Sequence, residues 1–126
     1  MQYKRHESFR YTFNEPLIAS FKLIVEKNGE CVETKQTDAL LINLSPNGAR
    51  IKTGLDLPVE HGNYLLDLHI NLNQTLITML GKPVWKRKEF GQYVYGLEAI
   101  EDDKTKKMII KELKQYVNLH KTDNRG

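Results

Sequence analysis

The chain has 126 residues, 40% of them hydrophobic, which suits one domain spanning 1–126 with a single core and no obligatory metal or disulfide staple. The single cysteine, Cys31, excludes an intrachain disulfide, and no apolar run approaches the roughly 20 residues that span a bilayer, so a soluble cytoplasmic protein is expected. A net charge of +3 does not define a nucleic-acid-binding protein, so the placement of the cations carries the information.

The chain opens on Lys4-Arg5-His6-Glu7-Ser8-Phe9-Arg10, which predicts a flexible basic arm over residues 1–12, with Phe9 available to pin it down. A barrel is expected over 15–100. Leu17, Ala19, Phe21, Leu23 and Val25 alternate as in a strand with one buried face, and Lys27-Asn28-Gly29-Glu30 is a turn signal. Leu40, Ile42 and Leu44 read as the core face of the next strand, which runs through a tight turn into another. Tyr64, Leu66, Leu68, Ile70 and Leu72 repeat the pattern, with Asp67, His69 and Asn71 facing the other way. Two further strands are predicted, Gln74 to Lys86, interrupted near Gly81 and Pro83, and Gln92 to Ile100, joined by a loop over Arg87–Gly91. From there the period lengthens: Lys106, Ile109, Ile110, Leu113, Val117 and His120 form a helical stripe over 102–120, capped by Asp102 or Asp103. The fold class is therefore mainly β, an antiparallel barrel of six to seven strands with a C-terminal α-helix.

Catalytic chemistry finds no foothold. The histidines at 6, 61, 69 and 120 have no zinc-site spacing to one another or to Cys31, so no metal ligand is assigned. His69 on a polar parity and His120 at a helix end read as solvated or dipole-satisfying side chains. Gly81-Lys82 lacks both the upstream glycine and the following Ser or Thr of a phosphate loop. Cys31 reads as an unreactive, partly buried thiol.

The informative segment is Asn43-Leu44-Ser45-Pro46-Asn47-Gly48. Asn43 and Ser45 share one parity, away from the core face, and Gly48 admits close approach by backbone or ligand. With the arm, this segment resembles the PilZ domain, the bacterial receptor module for cyclic di-GMP, which joins an N-terminal RxxxR arm to a [DN]xSxxG turn. The turn is matched by Asn43, Ser45 and Gly48. Gly81-Lys82-Pro83-Val84-Trp85 and Tyr95-Gly96-Leu97-Glu98-Ala99 resemble the family's late-strand GxVxW and yGxxF segments, and a helix follows, as in the family. The arm departs from the pattern: the correct spacing is His6-x-x-x-Arg10, which places histidine where the family usually has arginine, with Arg5 beside it.

The resemblance implies a PilZ-type barrel that binds cyclic di-GMP through Arg5, His6, Arg10, Asn43, Ser45 and Gly48, without a cofactor. Arginine suits two phosphodiesters and two guanines because its fork pairs bidentately with phosphate oxygens or with guanine O6 and N7, and its plane stacks on a purine. The family's mechanism implies an arm that wraps over the ligand and changes the surface shown to a protein partner, in processes such as motility or biofilm formation. Two alternatives stay open: a PilZ-like interaction domain that has lost the ligand, and a barrel that binds single-stranded nucleic acid through stacking aromatics. The lack of a basic stripe across the strands weighs against the second.

Overall fold

The structure, a computed structural model, describes residues 10–60 and 63–121. It comprises β1 (Tyr11–Lys27), β2 (Glu30–Glu33), β3 (Thr37–Ser45), β4 (Gly48–Thr53), β5 (Tyr64–Leu72), β6 (Thr75–Glu89), β7 (Gln92–Ala99) and the helix α1 (Asp103–Lys121). The strand order is β2–β1–β3–β4–β7–β6–β5, every pairing is antiparallel, and β5 pairs back onto β1. Six strands therefore close a barrel, while β2 continues beyond β3 along one edge of the long β1. The expected antiparallel barrel with a C-terminal helix is the observed architecture.

Alternation builds the core. Leu66, Leu68, Ile70 and Leu72 of β5 point inward and are fully buried, meeting Ile77 and Met79 of β6 and Tyr95 of β7. Each such side chain contributes about 1.5–3 kcal/mol by leaving water. Of the four two-residue turns among the described residues, Asn28–Gly29, Asn73–Gln74 and Phe90–Gly91 have φ of 52° and 79°, 54° and 65°, and 50° and 79°. Positive φ at both positions makes the turn twist with the strands, which is why short hairpins favour it.

Several expectations need correction. The core face of β3 is Ala39, Leu41 and Leu44, because Leu41 pairs with Ile51 and Asn43 with Arg50, leaving Ile42 as an extra residue in a bulge that reverses the parity. Leu40 therefore lies on the outside. The loop expected over Arg87–Gly91 contracts to Phe90–Gly91, since pairing continues to Glu89 opposite Gln92. β2 has no counterpart among the predicted strands, and Cys31 within it is exposed rather than partly buried. The end of the predicted arm is already strand: Tyr11 pairs with Leu44 and Thr12 with Asn43, while residues 1–9 lie outside the described residues.

The helix begins where Asp102 caps it. The Asp102 carboxylate accepts from the backbone N–H of Lys104 (3.1 Å) and Thr105 (3.4 Å) and from the Thr105 hydroxyl (2.9 Å). The Thr105 hydroxyl and these amides hold its pKa below the ordinary carboxylate value. Ile109 and Leu113 of α1 are fully buried, and the helix packs on β5 and β6. Glu112 is buried beside them, and Asn73 Nδ2 donates to its backbone carbonyl (2.8 Å) and its carboxylate (2.9 Å). Tyr116 packs edge-on against Tyr11 and Phe13 at the start of β1, and His120 stacks on Tyr116 with Nδ1 3.0 Å from its carbonyl. At one end of the barrel the buried Tyr95 hydroxyl accepts from Leu57 N–H and donates to the Leu55 carbonyl, both at 2.7 Å, pinning the β4–β5 connection.

Candidate ligand cleft

Two bulges make the site. On β6 the buried positions Gly81 and Pro83 would be followed inward by position 85, but Pro83 pairs with Leu97 and Trp85 with Gly96, so Val84 is the extra residue and Trp85 turns outward. The bulge at Ile42 does the same for Asn43 after the inward Ala39 and Leu41. Bulges re-aim side chains in this way because one added residue inverts the two-residue period. Asn43, Arg50, Gly96 and Trp85 consequently form one row on the outer face of β3, β4, β7 and β6, each opposite the next. A second row, Ser45, Gly48, Glu98 and Lys82, runs beside it.

The rows border a cleft of about 250 Å³ whose lining includes Arg10, Asn43, Asn47, Gly48, Arg50, Trp85, Gly96 and Glu98. The Arg50 guanidinium carbon lies 5.2 Å from the centroid of the half-buried Trp85 ring, and that of Arg87 lies 5.7 Å from it. Gly96 is required beneath the indole, because a Cβ there would collide with Trp85 Nε1. Glu89 binds Lys52 at 3.3 Å and Arg87 at 3.1 Å, and these cations hold its pKa below the ordinary value. Arg10 and Arg50, by contrast, form no ion pair among the described residues.

The turn residues divide by what they touch. Ser45 is 3% exposed; its Oγ accepts from Asn47 N–H (3.1 Å) and donates to the Gly48 carbonyl (3.4 Å), so it closes the β3–β4 turn from behind and does not line the cleft. A Cβ at Gly48 would collide with the Leu97 carbonyl oxygen, so the glycine is dictated by the close approach of β7. Asn43 is 4% exposed and lines the cleft, yet its carboxamide has no hydrogen-bond partner among the described residues. Leaving such a group unpaired costs about 1–3 kcal/mol, which a ligand's polar atoms would recover.

Of the residues singled out in the sequence, Arg10, Asn43 and Gly48 meet at the cleft, Ser45 stands behind it, and Arg5 and His6 lie outside the described residues. The sequence reading did not assign Arg50, Trp85, Gly96 or Glu98 to the site. In the sequence Trp85, Gly96 and Glu98 stand only as members of the two late-strand segments. No group of three or more His, Cys, Asp or Glu side chains is arranged to hold a metal among the described residues, and no helix there is long and apolar enough to cross a membrane.

Barrel, turn and cleft together define a small mainly β domain with a cation-lined cleft on its outer face. The sequence matches the PilZ domain over residues 5–118, and the chain belongs to that family. PilZ domains are generally cyclic di-GMP receptors and act as binding or adaptor domains rather than as enzymes. The fold is similar to the crystal structure of the PilZ domain of CeSA from a cellulose-synthesizing bacterium, with 12% identity and a TM-score of 0.52, covering 90% of this chain and 99% of that one. No curated protein matches the chain.

Proposed function

We propose that the chain is a cyclic di-GMP effector whose ligand occupies the cleft between Arg10, Asn43, Arg50 and Trp85. The observation that carries this reading is Asn43, a buried carboxamide facing a cation-lined cleft with no partner of its own among the described residues. Arg10 and Arg50 answer the phosphodiesters or the guanine O6/N7 edge, and Trp85 offers a face on which a purine stacks. Arg5 and His6 close over the ligand from the arm, and Ser45 and Gly48 hold the turn that presents Asn43. The domain performs no catalysis, works in the cytoplasm, and passes the signal to a protein partner through the surface that the ordered arm creates.

Calorimetric titration with cyclic di-GMP tests this. Saturable heat in the wild type, with affinity about 5- to 150-fold weaker in Arg10→Ala, is expected from the loss of one bidentate contact. No heat at all would leave a PilZ domain that serves only as a protein-interaction surface. The arm is tested separately by His6→Ala: weaker binding of cyclic di-GMP is expected, and unchanged affinity removes His6 from the contact.

A further inference from the structure

Glu98 is out of place in an anion site. Among the described residues lining the cleft it is the sole carboxylate, in company with Arg10 and Arg50. It stands on β7 opposite Gly48 of β4 and Lys82 of β6. Because Gly48 carries no side chain, nothing on β4 at that position screens Glu98 from the β3–β4 turn. A carboxylate repels phosphate at any separation the cleft allows, so its presence there serves a group that donates hydrogen bonds.

We infer that Glu98 is the base-discriminating residue of the cleft, accepting the N1–H and N2–H donors of a guanine held against Trp85. This rests on the reading of the cleft as a cyclic dinucleotide site and names what that reading leaves open, the source of purine selectivity. Two parallel N–H donors on one base edge match the two oxygens of a carboxylate, as they match the carboxylate partner of an arginine fork. The O6/N7 edge stays free for an arginine, so one guanine is read on both sides without competition. Adenine presents an N1 lone pair and no 2-amino group at the same place, and a carboxylate facing that lone pair repels it. A site built on paired donors and acceptors rejects the wrong base strongly because its own polar atoms are then left unpartnered.

The test is calorimetric titration of the wild type, Glu98→Ala and Glu98→Gln with cyclic di-GMP, cyclic di-IMP and cyclic di-AMP. Glu98 is exposed, so both variants are expected to keep the wild-type urea midpoint. The wild type is expected to bind cyclic di-GMP best and cyclic di-IMP, which lacks the 2-amino donor, less well. Glu98→Ala is expected to lose about 5- to 150-fold in affinity for cyclic di-GMP while binding cyclic di-AMP no worse, so that the selectivity ratio collapses. Glu98→Gln, keeping one acceptor oxygen, falls between. Wild-type ratios among the three ligands in both variants overturn the assignment of Glu98 and leave the cleft reading intact. A wild type that binds none of the three overturns both.

Discussion

Asn43 and Ser45 stand two residues apart on β3 and are almost equally buried, yet their surroundings differ completely. Ser45 is bonded twice inside its own turn; Asn43 faces the cleft without a partner among the described residues. A short motif can thus contain residues the fold consumes and residues it leaves available. A matched motif spacing therefore does not leave every member available to a ligand. Stability and binding should therefore respond to substitution in opposite ways along six consecutive residues.

The largest effect is expected at Gly48. Gly48→Ala forces a methyl into the Leu97 carbonyl oxygen, a backbone atom that cannot step aside, and should cost about 3 kcal/mol, the upper end for overpacking. A fall in the urea midpoint with an unchanged slope measures it. Ser45→Ala removes the acceptor for Asn47 N–H and should cost about 0.5–1.5 kcal/mol by the same measurement. Asn43→Leu reverses the sign: replacing an unpartnered buried carboxamide by an apolar side chain of similar size should leave stability unchanged or raise it by about 1 kcal/mol, while cyclic di-GMP affinity falls. If Asn43→Leu destabilises as Ser45→Ala does, the distinction between the two residues fails.

The smallest effect lies far from the cleft and serves as a control. Asp102 has its pKa lowered by Thr105 and the backbone amides it caps, so its contribution to stability is complete above the unfolded value of 3.8 and is lost as pH falls through the lower folded value. Far-ultraviolet circular dichroism should accordingly show that Asp102→Ala weakens α1 at pH 7 and differs less from the wild type in strong acid.

How much of this was legible in the sequence follows from the range of each signal. β5 announced itself because Leu66, Leu68, Ile70 and Leu72 alternate without interruption. β2 gave no such signal, since all four of its residues are exposed. The turn from Asn43 to Gly48 was legible because its chemistry is local, whereas Arg50, Gly96, Trp85 and Glu98 reach the cleft from three strands by register. The bulges at Ile42 and Val84 hid that register, because each inverts the parity from which inward and outward faces are read. For this reason simple alternation assigns β3 the wrong core residues, Leu40 and Ile42, while still setting Asn43 on the side away from Leu44. Tyr116 and Glu112 carry no local sequence signal because their partners, Tyr11, Phe13 and Asn73, are distant in sequence.

The most direct measurement uses the single tryptophan. Trp85 is the only indole in the chain, so its Nε1–H gives one side-chain resonance in a ¹H–¹⁵N spectrum, located inside the proposed site. Addition of cyclic di-GMP should shift that resonance saturably in the wild type and require far more ligand in Asn43→Leu. An indole resonance that stays in place at saturating cyclic di-GMP, while resonances elsewhere on the barrel move, would contradict the placement of the ligand on this face.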